Sequence, residues 1–306
     1  MAPLVWLITG TTSGIGEALV KEVARRGDKV IATGRNAEER LQSLKSDNIA
    51  LLDLDVASSR EVINAQINTA VSIFGRIDVL INNAGMSASS SIEEASDAFM
   101  QRLFDVNLFG TIRVTQAVLP YLRKQRFGRI GCIGAGLAWA PFPFLGFYSM
   151  TKAAVGQFVE ALDKETSAFG IRATCFEPGG FSTRLGQARG TGYGVGAMPA
   201  VEDYQPGFTC FVKGLVEDCG ASIPGDTNKL PPAVIDVIKG EGMAAERKWP
   251  VRVVLGQDTV TLIRQKCNEQ LQLTAEWEDV SNSVNADDWS GKLEKSLTFV
   301  KMDAVL

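Results

Sequence analysis

Leu4-Val5-Trp6-Leu7-Ile8-Thr9 runs directly into Gly10-Thr11-Thr12-Ser13-Gly14-Ile15-Gly16, and an apolar-periodic stretch follows. This passage decides the fold. A continuous apolar run without alternation predicts a strand covered on both faces, as parallel strands are. The glycines then predict a tight turn into a helix whose free N–H groups can receive an anion. Gly10 permits the turn, while Gly14 and Gly16 let a ligand and the strand approach the backbone. The spacing is G-x-x-x-G-x-G. Gly10, Thr12, Ser13, Gly14, Ile15 and Gly16 therefore form a candidate phosphate cradle.

Outward from that passage, strands and helices alternate. Strands are expected at Lys29 to Thr33, Ile49 to Leu54, Asp78 to Ile81, Gly128 to Ile133, Ile171 to Glu177 and Val251 to Leu255. Helices are expected at about Ser59 to Phe74, Ser96 to Lys124, Phe147 to Phe169, Asn228 to Lys239 and Thr259 to Glu278. Such alternation predicts an α/β protein of Rossmann type, a doubly wound parallel sheet with right-handed crossovers. At 306 residues, 45% hydrophobic and 22% charged, the chain can bury one large core in a single domain.

Composition excludes several kinds of chemistry. There is no histidine, which removes His-based triads, His metal ligands and the usual neutral-pH base. The five cysteines (Cys132, Cys175, Cys210, Cys219 and Cys267) are odd in number and form no Cys-x-x-Cys pair. They fit buried thiols in a reducing, cytoplasmic setting, with no disulfide frame and no metal site. A net charge of −4 without a Lys/Arg run predicts no binding to nucleic acid or anionic lipid. The opening apolar run is too short for a membrane span and lacks a basic flank.

Several residues carry candidate chemistry. The second strand ends in Gly34-Arg35-Asn36, where an NAD site usually places an acidic residue for the ribose hydroxyls. Arg35 can instead pair with a 2′-phosphate, which favours NADP(H); the plainer reading is an exposed loop arginine. The third strand ends at Asp55-Val56. Asp55 can accept from the adenine amino group or cap the next helix, and Val56 can cover the ring. Asn82-Asn83-Ala84-Gly85 lies at the carboxyl end of the fourth strand, where ligands bind in open α/β sheets. Asn107 sits in an apolar helical stretch, so its amide needs partners, either as a structural bridge or in a proton path. Tyr148 and Lys152 share a helix face four residues apart, where the ammonium can lower the phenol pKa.

Together these residues resemble the short-chain dehydrogenase/reductase family, in order from Leu4 to about Asp279. The motifs are Thr9-Gly10-x-x-x-Gly14-Ile15-Gly16, Asn82-Asn83-Ala84-Gly85, Asn107, Tyr148-x-x-x-Lys152 and Pro178-Gly179-x-x-x-Thr183. Gly225-Asp226, Pro250 to Gly256 and Asp258 are similar to the 17β-hydroxysteroid-dehydrogenase-like branch. The resemblance implies hydride exchange between NADP(H) and a carbonyl or alcohol, with Tyr148 as acid/base. Lys152 would hold the nicotinamide ribose, and Asn107 would keep a water in the proton relay. Pro178, Gly179 and Thr183 would settle the carboxamide and pyrophosphate. The turn containing Asn82, Ala84 and Gly85 would support the adenosine side. It also implies a homo-oligomer, a dimer or tetramer.

One departure stands out. The family's substrate-binding serine, thirteen residues before its tyrosine, is Ala135 here, and its neighbour is Gly134. Three readings fit: an engineered Ser→Ala change, a natural enzyme that reduces an activated substrate with Tyr148 alone, or a fold turned to non-redox work. The last would be an isomerase, dehydratase or cyclase, or a non-catalytic cofactor-bound subunit. Ser149 follows Tyr148 and should point away from it. Residues 1–279 are expected to form the NADP-binding domain, with a Gly- and aromatic-rich lid over about 181–224 and a tail over 280–306. Trp139, Phe142, Phe144, Phe147 and Met150 should make an apolar pocket for a hydrophobic substrate, although any one of them can equally be core.

Overall fold

In the computed structural model, residues 3–181, 185, 198–214 and 225–287 are described. β1 (Val5–Ile8) is buried throughout. Val5 and Leu7 join an apolar cluster on one side of the sheet, Trp6 and Ile8 a cluster on the other. Two covered faces explain why the run shows no alternation.

The order continues as α1 (Gly14–Arg25), β2 (Lys29–Gly34), the short α2 (Ala37–Arg40), β3 (Ile49–Asp53), α3 (Arg60–Phe74) and β4 (Val79–Asn82). Then come α4 (Asp97–Phe104), α5 (Gly110–Gln125), β5 (Gly128–Ile133), α6 (Gly146–Thr166) and β6 (Ile171–Pro178). α7 (Gln205–Lys213), α8 (Leu230–Lys239), β7 (Arg252–Leu255), α9 (Gln257–Glu276) and α10 (Glu278–Asn282) complete the described chain. The seven strands are parallel, in the order β3-β2-β1-β4-β5-β6-β7. α3, α5 and α6 cover one face, for example through Ile67, Val118 and Val159. α1 and α8 cover the other through Leu19, Val23, Val234 and Ile238. This is the expected doubly wound sheet, and its order reverses between β1 and β4. The reversal opens a crevice at the carboxyl ends of the strands.

Three local departures matter. The helix expected from Ser96 to Lys124 contains a π-turn over Asp105–Phe109. Such wide turns have a local cause. Here the Asn107 amide bonds across to another segment, and Gly110 lies where a Cβ would sit 2.8 Å from Val56 Cγ2. The helix expected to reach Phe169 ends at Thr166, followed by a 3₁₀ turn and Gly170 with φ +75°. The terminal helix is divided into α9 and α10, and residues 268–287 are exposed throughout, Leu271, Trp277, Val280 and Val284 included.

Of the expected lid, Phe181, Leu185 and 198–214 are described. Thr183 and the glycine run Gly190 to Gly196 lie outside the described residues, as do 288–306 of the tail. Among the described residues, no helix is long and apolar enough to cross a membrane.

Candidate active site

The glycine loop is built on close backbone packing. Gly10 has φ +68°, and a Cβ there would lie 2.7 Å from the Ala84 Cα. Gly14 has φ +60°. A Cβ on Gly16 would overlap the Gly10 carbonyl and approach Asn83 Nδ2 to 2.5 Å. These positions need glycine for space as well as for angle. Asn83 proves central to this packing. Its Nδ2 donates to the carbonyls of Thr9 (2.9 Å) and Gly10 (3.0 Å). The Thr9 hydroxyl in turn accepts the N–H groups of Asn83 and Ala84, both at 3.0 Å. β1 and β4 are thereby locked together at the floor of the crevice.

The cradle fits a dinucleotide. Ser13 caps α1 in extended backbone with no side-chain cap bond, so the first-turn N–H groups have no capping side chain. Free N–H groups at a helix start can receive a phosphate. Ser13 and Thr11 are buried at the loop, and Gly34 packs against Thr12, with a Cβ there 3.0 Å from its Cγ2. Arg35 and Asn36 follow at the surface, Asn36 with φ +53°. Among the described residues Arg35 makes no ion pair, so its guanidinium faces solvent beside the loop. Asp55 does not cap α3. Its carboxylate accepts the Ala57 N–H at 3.0 Å in a local turn, and Ser59 is the cap, accepting from Val62 N at 3.4 Å. Val56 is buried against Gly110. Asn82 is buried too, its Nδ2 donating to Thr115 Oγ1 at 2.9 Å, which makes it a brace of the sheet.

Gly85 carries the crevice across to the second half of the site. A Cβ there would lie 3.4 Å from Asn107 Oδ1 and 3.6 Å from Lys152 Nζ, so the two side chains flank this one residue. The Asn107 amide accepts the Met86 N–H (2.8 Å) and donates to the Met86 carbonyl (2.9 Å) and Thr151 Oγ1 (3.0 Å). Its side chain is thus a bridge from α5's approach to α6. Lys152 is buried and donates to the Ile133 carbonyl at 2.7 Å; burial lowers its pKa to about 8. Its ammonium lies 5.8 Å from the Tyr148 ring centroid. The expected lowering of the phenol is not what the structure shows. Tyr148 is buried, and desolvation of the phenolate raises its pKa above the ordinary value.

Tyr148 packs in one apolar cluster with Ala135, Ala88, Phe99 and Leu103, with Phe147, Leu137 and Leu185 against it. Ala135 thus brings a methyl group to the cluster that holds Tyr148, at the sequence position where the family carries its serine. The Ser149 hydroxyl is buried without a hydrogen-bond partner among the described residues, one position on from Tyr148. Of the residues expected around Tyr148, all but Trp139 divide into three sets. Phe147 stays with it, edge to face on Phe99 at 6.1 Å. Phe144, in left-handed backbone at φ +63°, joins Phe208 and Phe211 of α7 at 5.0 and 5.7 Å. Phe142 and Met150 are exposed.

Trp139 is a correction of another kind. Its indole N–H donates to Glu177 Oε2 at 3.0 Å, and Arg252 stacks over its ring at 5.1 Å while donating to Glu177 at 2.6 Å and Glu160 at 2.5 Å. Trp139 therefore anchors the segment after Ala135 to the sheet. Glu177 is fully buried, and burial raises its pKa despite the guanidinium. Its only signal in sequence was its place before Pro178-Gly179. Burial also pushes both thiols up, Cys132 to about 12, which disfavours their thiolates. Cys210 is exposed and Cys267 half-buried, contrary to the expectation that all are buried.

The short chain dehydrogenase family profile matches residues 4–194, and the chain belongs to that family. An oxidoreductase of Botryotinia fuckeliana, BOA17, is 31% identical over 283 residues, covering 90% of this chain and 97% of its own. A short-chain dehydrogenase from Streptomyces avermitilis superposes with a TM-score of 0.79 at 30% identity, covering 93% of this chain and 100% of its own. A gluconate 5-dehydrogenase from Burkholderia cenocepacia, solved with NADP and tartrate, gives 0.69 at 25% identity, covering 85% of this chain and 96% of its own.

Proposed function

We propose that the protein is an NADP(H)-dependent oxidoreductase that reduces a hydrophobic ketone, or oxidises the matching alcohol, with Tyr148 as the acid/base. One observation carries this reading. Gly10 touches Ala84, and the next residue, Gly85, is flanked by Lys152 and Asn107. The phosphate cradle and the Tyr148-Lys152 pair therefore open on one crevice. NADP(H) would supply or accept the hydride there.

The chain's own residues have distinct tasks. Gly10, Thr12, Ser13, Gly14, Ile15 and Gly16 would hold the pyrophosphate at the start of α1, with Arg35 and Asn36 at the 2′-phosphate. Asp55 and Val56 would face the adenine, and Asn82, Ala84 and Gly85 would shape the crevice wall. Lys152 would hold the nicotinamide ribose; Pro178, Gly179 and Thr183 would meet the carboxamide side. A bound ligand is what could bring the Lys152 charge to bear on the raised phenol, so that Tyr148 gives its proton to the carbonyl oxygen. Phe99, Leu103, Leu137, Phe147 and Leu185 would give the substrate an apolar wall. The gluconate 5-dehydrogenase solved with NADP supports the choice of cofactor. The working form is a homo-oligomer in the cytoplasm, which Phe109, exposed on the π-turn before α5, and Met150, exposed on α6, would serve.

The test is stoichiometric. With a panel of apolar ketones, each alcohol formed consumes one NADPH, and Tyr148→Phe lowers kcat by about a hundredfold or more. Product formation without cofactor consumption contradicts the reading.

A further inference from the structure

The geometry points to Asp258 as a positioning residue for the nicotinamide half of the cofactor site, an inference that rests on the cofactor reading above. Asp258 stands in the first turn of α9, where a carboxylate is also favoured by the helix dipole. Its position does more than that. Oδ2 accepts the Gly180 N–H at 2.7 Å, two residues beyond the end of β6. A Cβ on Gly179 would overlap this carboxylate, and one on Gly256 would approach Oδ1 to 2.5 Å. The backbone on both sides of the carboxylate is thus pared down to admit it, with Gly256 held at φ +113°.

Gly180 is held at its other end as well. Its carbonyl accepts the Gly225 N–H at 3.1 Å, and Phe181 forms a parallel bridge with Gly225. Residues 181 and 225 thereby meet, and the segment between them leaves and returns at one point. The acceptor that fixes this point comes from Asp258, beyond β7. Pro178 and Gly179 lead into the same junction, and Gly179 N is itself held by the Leu255 carbonyl at 2.9 Å. Asp258 therefore sets the course of the chain on the nicotinamide side while standing far in sequence from the glycine loop that serves the adenosine side.

That separation gives a test by binding alone. NADPH spans both halves of the site; 2′,5′-ADP contacts only the adenosine half. Isothermal titration of wild type, Asp258→Ala and Asp258→Asn with each ligand measures the difference, with thermal unfolding as the control for folding. Losing one charge-assisted bond that orders the junction weakens NADPH by about tenfold in Asp258→Ala. Binding of 2′,5′-ADP stays within about twofold of wild type on the same reasoning. Asp258→Asn keeps an acceptor for Gly180 N–H and stays near wild type with both ligands. NADPH affinity unchanged in Asp258→Ala, equal losses for both ligands, or Asp258→Asn as weak as Asp258→Ala would each overturn the assignment. Wild type that binds neither ligand would instead overturn the cofactor reading, which separates the two failures.

Discussion

The two halves of the crevice are held by different means. On the side proposed for the adenosine, Gly10, Gly16 and Ala84 pack so closely that each contact depends on a side chain being small or absent, and the Asn83 amide ties that backbone together through the Thr9 and Gly10 carbonyls. On the substrate side, Ala135, Tyr148 and Phe147 meet through apolar side chains, while Trp139 is tied back by Glu177 and Arg252. The first arrangement admits almost no substitution. The second can change its chemistry without changing its frame, and the methyl of Ala135 is such a change. A fold can fix the cofactor by sterics and leave the reaction to a few exchangeable side chains.

The contrast can be broken most forcefully at Gly16. Gly16→Ala places a methyl against the Gly10 carbonyl and Asn83 Nδ2, and overpacking at a rigid backbone contact costs about 3 kcal/mol. Thermal or denaturant unfolding should show that loss, together with loss of cofactor binding. An unchanged melting temperature would show that the cradle yields, and that the two halves are not so different.

A smaller effect is expected at the mouth of the cradle. Arg35 is exposed and unpaired among the described residues, so Arg35→Ala should leave stability alone. It should weaken NADPH by about tenfold and leave NADH unchanged, as loss of a charged phosphate contact requires. An unchanged preference would remove Arg35 from the site.

The smallest effect concerns pH on the substrate side. Burial puts the folded pKa of Lys152 at about 8, below the ordinary 10.5. Between those values the unfolded chain holds a proton that the folded chain lacks, so this group's contribution to stability rises as pH rises through the window. The ammonium proposed to assist Tyr148 is lost over the same range. Activity should therefore fall above about pH 8 while stability holds or increases, and Lys152→Met should remove the stability trend. Parallel decline of both in wild type would contradict this assignment.

Much of this was readable from residue order, because backbone constraints write themselves into sequence. The apolar run before Gly10 gave β1, and Gly128 to Ile133 matches β5 residue for residue. What failed to show were contacts between segments distant in the chain. Asn83 was quoted within a motif, but its bonds to Thr9 and Gly10 arise only when β4 lies beside β1. The role of Glu177 needed Trp139 and Arg252 to meet from either side, and the Asn107 amide in the π-turn finds its partners in Met86 and Thr151, both distant in sequence. The phenol was misjudged for a related reason: helix spacing placed Lys152 near Tyr148, but burial decided the pKa.

The central claim is that Tyr148 performs redox acid/base chemistry in a pocket that lacks one hydroxyl. Comparing kcat/KM for NADPH-dependent ketone reduction in wild type, Ala135→Ser and Ala135→Ser with Tyr148→Phe tests it directly. Restoring one donor for the substrate oxygen should raise the rate by about a hundredfold, and Tyr148→Phe should abolish the gain. A serine that brings no increase, or an increase that survives loss of the phenol, would contradict the account.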